Sequence, residues 1–104
     1  MVPAANRVAE AEAFSPDEVQ RRLADLPGWK LGENEIFKWF RFNGYPAAVA
    51  FLERTVGPSE RMNHHPDIEV HERRVRVALH TWSADAITEK DFALAGEIER
   101  LQGE

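Results

Sequence analysis

The stretch that decides the fold is residues 67–81, DIEVHERRVRVALHT. In its second half every other side chain is apolar, and these alternating residues are Val75, Val77 and Leu79. Side chains of a strand point alternately to its two faces, so this period of two indicates a strand with one face in the core. Residues 67–71 and 75–81 are therefore predicted to form a β-hairpin.

A second hairpin is predicted upstream. Residues 29–31 and 36–42 are rich in aromatic and aliphatic side chains, and Gly32-Glu33-Asn34 lies between them as a turn signal. The chain therefore contains two pairs of strands, enough for a four-stranded antiparallel sheet.

Three helices are predicted around these hairpins. The first begins after Ser15, a capping residue followed by Pro16 and Glu18, and ends near Leu26. A second follows Gly44, and its kink is expected at Gly57-Pro58, since proline removes a backbone donor. The last is capped by Thr88, and its apolar stripe is formed by Leu94, Ala95, Ile98 and Leu101.

The order of these elements predicts an α+β fold: two ββα units after a leading helix, giving a four-stranded antiparallel sheet with three helices packed on one face. The folded domain is expected to span residues 14–104. Residues 1–13 are rich in Ala and Glu with few large apolar side chains, so they are interpreted as a flexible N-terminal tail.

The amino-acid composition argues against several classes of protein. The chain has 104 residues, 43% of them hydrophobic, which suits one domain. It has no cysteine, so disulfides and thiolate chemistry are ruled out, and a cytoplasmic location is the default expectation. A net charge of −5 argues against direct nucleic-acid binding, and no apolar run approaches the length of a membrane span.

The chemical signal is the adjacent pair His64-His65 before Pro66. On a regular strand neighbouring side chains point to opposite faces, so only a bent segment lets both imidazoles share a pocket. A zinc site built from His64, His71 and His80 is disfavoured, because this spacing matches no closed zinc pattern and no cysteine is available.

The segment 60–67, ERMNHHPD, resembles the core motif of the pterin-4a-carbinolamine dehydratase family: an acidic residue, three residues, then two histidines and a proline. The resemblance covers about residues 14–101 and continues through Trp82 and Asp91. It implies the same α+β fold, and it implies assembly as a homodimer or homotetramer. Apolar surface such as Trp39 or Tyr45 would be covered in such an assembly.

The activity that the resemblance implies is dehydration of 4a-hydroxytetrahydrobiopterin to quinonoid dihydropterin and water, in tetrahydrobiopterin recycling, with no cofactor and no metal. His64 and His65 would be catalytic, because imidazole can donate and accept protons near neutral pH. The residues expected to bind the pterin are Glu60, Asn63, Pro66, Asp67, His80, Thr81, Trp82 and Asp91.

Two departures from the family pattern keep a second function open. Glu72 stands where an aromatic residue is usual, and Trp82 stands where most active members carry a third histidine. The alternative is a non-catalytic interaction module, such as a transcription coactivator or a carboxysome/RuBisCO assembly factor. Asp91 also has two interpretations, since it occupies the third helical position after Thr88, where an acid stabilises the helix start.

Overall fold

The computed structural model describes residues 12–102. Eight elements follow one another: helix α1 (Pro16–Leu23), strands β1 (Lys30–Leu31) and β2 (Ile36–Arg41), helices α2 (Tyr45–Arg54) and α3 (Val56–Met62), strands β3 (Asp67–His71) and β4 (Arg74–Leu79), and helix α4 (Glu89–Gln102). Of the predicted tail, residues 1–11 lie outside the described residues. Within residues 12–102 no helix is long and apolar enough to cross a membrane.

The predicted four-stranded antiparallel sheet is confirmed, with the strands in the order β1-β2-β4-β3. Strand β4 lies inside the sheet, so it pairs with β2 on one side and with β3 on the other. Near its start Val75 pairs with Phe40 of β2 and with Val70 of β3. The two predicted hairpins therefore meet through β4, the strand whose alternating pattern was clearest in the sequence.

The sheet has one buried face, as predicted. The residues of β4 on that face, Val75, Val77 and Leu79, have no exposed surface. Helices cover them: the ring centroid of Phe51 in α2 lies 4.8 Å from that of Phe40, and Leu94 and Ile98 of α4 are fully buried. The opposite face carries the exposed Trp39, whose ring lies beneath Arg74.

The second helix is interrupted earlier than the predicted kink at Gly57-Pro58. The break falls at Thr55, between α2 and α3, and not at Pro58. The Thr55 hydroxyl donates to the carbonyl of Leu52 at 2.7 Å, which closes the end of α2. Pro58 then lies in the first turn of α3, where backbone N–H groups have no partner within the helix, so its missing donor costs nothing.

The three tryptophans occupy different environments. Trp29 is 5% exposed and donates its indole N–H to Glu99 of α4 at 2.8 Å. The same Glu99 oxygen accepts from Lys38 of β2 at 2.6 Å. This shared carboxylate ties the start of the sheet to the last helix. Trp39 and Trp82, by contrast, are exposed.

Candidate active site

The end of helix α3 sets the direction of the histidine pair. Asn63 adopts the left-handed conformation, with φ 49°, and its N–H donates to the Glu60 carbonyl. The N–H of His64 reaches back to the Ser59 carbonyl at 3.0 Å. These two bonds form the Schellman motif, in which a left-handed residue ends a helix and satisfies its last carbonyls. His64 is therefore the first residue of the turn that leads into β3.

The His64 imidazole turns inward and meets Asp91 at the start of α4. His64 Nε2 lies 2.6 Å from Asp91 Oδ1, and the two side chains are 8% and 0% exposed. A buried carboxylate costs free energy unless its oxygens are hydrogen-bonded. Here the other oxygen, Oδ2, accepts from the Thr81 hydroxyl at 2.8 Å and from the Thr88 backbone N–H at 2.9 Å.

Asp91 thus both stabilises the start of helix α4 and contacts a residue of the candidate site. Its Oδ2 returns to the N–H of Thr88, while Thr88 Oγ1 accepts from the N–H of Lys90, so that the two side chains cap the helix reciprocally. Its Oδ1 is left for His64. Helix capping and site chemistry therefore use different oxygens of the same carboxylate.

The neighbouring His65 points outward. Its Nε2 lies 2.6 Å from Glu60 Oε2, and both side chains are more than half exposed. With Pro66 and Ile68 they border a cleft of about 360 Å³. The rest of its wall comes from helices α2 and α3, namely Leu52, Thr55, Val56 and Ser59.

A second cleft, of about 310 Å³, lies beyond the end of β4. It is lined by Glu33, Asn34, Glu35, Asp67, His80, Trp82 and Asp85. The Trp82 indole is 73% exposed, and its ring centroid lies 4.7 Å from that of His80. His80 Nδ1 is 2.7 Å from the Asn34 carbonyl, which can only accept, so this nitrogen carries a proton.

The structure does not bring all the predicted site residues into one pocket. Glu60, His65 and Pro66 line the first cleft, while Asp67, His80 and Trp82 line the second. The expectation that both imidazoles share a pocket is wrong for this structure, because His64 is buried against Asp91 and lines neither cleft. Asn63 is exposed at the turn.

Burial also corrects the roles predicted for Thr81 and Asp91. Thr81 is 2% exposed and Asp91 has no exposed surface, so neither side chain can touch a ligand in a cleft as the structure stands. Instead, Asp91 is hydrogen-bonded to His64, and Thr81 is hydrogen-bonded to Asp91. Thr88, which the sequence identified only as a helix cap, joins the same network through its hydroxyl, 2.7 Å from that of Thr81.

The other histidine, His71, lies at the far end of β3. Its Nε2 is 3.0 Å from Glu69 Oε1, and this hydrogen bond lowers the pKa of Glu69. The pair is exposed and borders neither cleft. Among residues 12–102, no group of three or more His, Asp or Glu side chains is arranged to hold a metal ion.

The site therefore offers two adjacent imidazoles in different surroundings. One is held by a buried carboxylate and the other is paired with an exposed carboxylate beside a cleft. Imidazoles poised in this way can move protons in opposite directions during one reaction. The fold and this arrangement define a class of small α+β protein with a histidine pair at the end of a helix.

Comparison with known proteins identifies the class. The sequence model of a family described as "Pterin 4 alpha carbinolamine dehydratase" matches residues 12–101. The chain belongs to this family, so the resemblance seen in the sequence is confirmed.

Two relatives from Chloroflexus carry provisional names as pterin-4-alpha-carbinolamine dehydratases. The protein of Chloroflexus aurantiacus is 45% identical over 90 residues, which cover 86% of this chain and 97% of the relative. That of Chloroflexus aggregans is 44% identical over 91 residues, again covering 86% of this chain and 97% of the relative.

Two solved structures share the fold. One is a transcriptional coactivator/pterin dehydratase from Brucella melitensis, with a TM-score of 0.82 and 27% identity over 86% of this chain and 98% of that one. The other is a pterin dehydratase-like protein identified as a RuBisCO assembly factor in the α-carboxysome, with a TM-score of 0.63 and 27% identity over 76% of this chain and 94% of that one.

The left-handed turn at Asn63 generates a first test. Asn63→Ala places a Cβ-bearing residue without asparagine's local hydrogen-bonding ability at φ 49°, so we expect the free energy of unfolding to fall by about 1 kcal/mol. Asn63→Gly is the matched control and should keep or slightly raise stability. Urea denaturation measures both. Equal stabilities for the two variants would show that the backbone conformation at Asn63 does not limit the turn before His64.

Proposed function

We propose that this protein dehydrates a 4a-hydroxytetrahydropterin, 4a-hydroxytetrahydrobiopterin in the first instance, to the quinonoid dihydropterin and water, in tetrahydrobiopterin recycling. The observation that carries the proposal is the pair of adjacent imidazoles, His64 and His65, each within 2.6 Å of a different carboxylate. Family membership supports the choice of reaction.

The reaction needs one proton donor and one proton acceptor. The bond between C4a and the hydroxyl oxygen breaks, and that oxygen takes a proton and leaves as water. A ring nitrogen loses its proton, and its electrons form the new double bond to C4a. His64 and His65 divide these two roles, and each histidine keeps one nitrogen on its carboxylate while the other exchanges a proton.

The surroundings suit a flat polar substrate. Trp82 presents an exposed indole face on which a bicyclic ring can stack, and the second cleft supplies carboxylates for the amino edge of a pterin. In this proposal Glu60, Asn63, Pro66 and Asp67 border the substrate from the histidine side, and His80 borders it beside Trp82. Pro66 of the first cleft and Asp67 of the second are consecutive in the chain.

The proposed enzyme acts in the cytoplasm without a cofactor. We further propose that it works as a homodimer or homotetramer. Tyr45 and Val56 support this, since they are 59% and 56% exposed and a partner subunit would remove that apolar surface from water.

Substitution of the histidines tests the chemistry. His65→Ala should lower the turnover rate by roughly 10²- to 10⁴-fold, as expected for a general acid or base. His64→Gln should do the same: its amide can still donate to Asp91, but it cannot exchange a proton. The rate of dehydration of 4a-hydroxytetrahydrobiopterin is measured, with a chelator present and absent, and the chelator should have no effect.

His71→Ala is the matched control, because His71 is also paired with a carboxylate but borders neither cleft. It should turn over at the wild-type rate. A wild-type rate no faster than the uncatalysed reaction at micromolar protein would overturn the proposed activity. Equal losses in all three variants would show that the effects do not arise at this site.

A second function, that of a non-catalytic interaction module, is favoured by one observation. Trp82 replaces the third histidine of the family pattern, and one structural neighbour with the same fold is a RuBisCO assembly factor. The retained pair His64 and His65, with a carboxylate on each, favours the enzyme, because an interaction surface has no need of a buried, hydrogen-bonded imidazole.

Trp82→His tests whether Trp82 stacks on the substrate or takes part in catalysis. If Trp82 only stacks on the substrate, this change restores the commoner family arrangement, so turnover should rise or stay unchanged while pterin binding weakens through lost stacking. Stopped-flow kinetics give the turnover and an equilibrium titration gives the affinity. A large fall in turnover with folding preserved would mean that Trp82 itself takes part in catalysis.

A further inference from the structure

A chain of buried hydroxyl groups leads to the Asp91 carboxylate. Thr88 Oγ1 lies 2.7 Å from Thr81 Oγ1, which lies 2.8 Å from Asp91 Oδ2. All three side chains are at most 2% exposed. Asp91 Oδ1, the other oxygen, is the one that meets His64.

The directions of these hydrogen bonds can be worked out. The Thr81 hydroxyl donates to Asp91 Oδ2, and this hydrogen bond uses the single proton of that hydroxyl. In its hydrogen bond with Thr88, Thr81 Oγ1 must then be the acceptor and the Thr88 hydroxyl the donor. The Thr88 hydroxyl proton is available, because in the hydrogen bond with the N–H of Lys90 the Thr88 oxygen is the acceptor. Every proton in the chain therefore points toward Asp91.

The oriented Asp91 carboxylate bears on which nitrogen of His64 is protonated. Asp91 Oδ2 is filled by two donors, the Thr81 hydroxyl and the Thr88 N–H, so the carboxylate is held with Oδ1 toward His64. Oδ1 accepts the proton on Nε2. The nitrogen left to exchange a proton is Nδ1, which makes no hydrogen bond within the described chain and is not among its fully buried, unpartnered atoms.

Helix capping does not explain the Thr81 hydroxyl. The cap of α4 is complete with Thr88 and Asp91 alone. The backbone of Thr81 is held separately, because its N–H and its carbonyl both pair with Ala86. Among residues 12–102, the hydrogen bonds of the Thr81 hydroxyl go only to the Asp91 carboxylate and to the hydroxyl of Thr88.

We propose that Thr81 and Thr88 are positioning residues whose hydroxyl groups orient Asp91, and that Asp91 in turn fixes His64 with its proton on Nε2 and Nδ1 as the atom that exchanges a proton. The kinetic part of this inference rests on the proposed dehydratase function. The protonation of His64 does not, and it can be measured without any substrate.

The test compares Thr81→Val, which keeps the shape and removes the hydroxyl, with Thr81→Ser, which keeps the hydroxyl. ¹⁵N NMR of the histidine rings is recorded at a pH above the ordinary histidine pKa of about 6.5. Wild-type protein and Thr81→Ser should show His64 protonated on Nε2, and Thr81→Val should show a growing fraction protonated on Nδ1. The turnover of Thr81→Val should fall by between about tenfold and about a hundredfold at unchanged KM, and Thr81→Ser should retain it.

The two readouts separate the possible failures. An inactive wild type whose His64 nevertheless behaves as expected would overturn the dehydratase and leave the positioning network in place. A wild-type His64 with Nε2 unprotonated would overturn the positioning proposal even if Thr81→Val does not fold. The positioning proposal would also be overturned if Thr81→Val kept the wild-type protonation of His64 and the wild-type turnover. It would be overturned as well if Thr81→Ser lost as much turnover as Thr81→Val.

Discussion

A carboxylate with no exposed surface lies where three parts of the chain meet. Asp91 begins the last helix, Thr81 follows the central strand, and His64 opens the turn after α3. A buried charge is tolerated only when its hydrogen-bonding capacity is met, and removing one partner of such a group is more costly than the bond alone. The three elements must therefore reach Asp91 together, and this requirement joins the fold to the site.

This constraint explains why two adjacent histidines differ. His64 is held at the interior, where turning its ring would break its hydrogen bond to Asp91 Oδ1. His65, one residue later, is paired with Glu60 in an exposed position. A buried imidazole beside an exposed one suits the proposed reaction, in which one proton is removed and another is delivered.

The sequence predicts most of the fold because its signals are local. The alternation of Val75, Val77 and Leu79 identifies the central strand. Thr88 predicts the start of the last helix correctly, since the helix begins at the next residue, Glu89. The break in the second helix was misplaced at Pro58, because proline is acceptable in the first turn of a new helix and the sequence does not show where that turn begins.

The candidate site was predicted less completely. The motif identifies Glu60, His64 and His65, but whether a side chain faces a cleft or the interior depends on packing between elements far apart in the sequence. The contact of His64 with Asp91 spans 27 residues. Local patterns do not show such a contact, so the sequence predicts neither the hydrogen bond from Thr81 to Asp91 nor the one between Thr81 and Thr88.

A double-mutant cycle on His64 and Asp91 tests the central claim most directly. The free energies of unfolding of the wild type, His64→Ala, Asp91→Ala and the double variant are measured by urea denaturation. The account predicts that each single change is strongly destabilising and that the double variant loses less than the sum, with a coupling energy of about 1–3 kcal/mol. Additive losses would contradict it, because they would mean that Asp91 and His64 stabilise the protein independently.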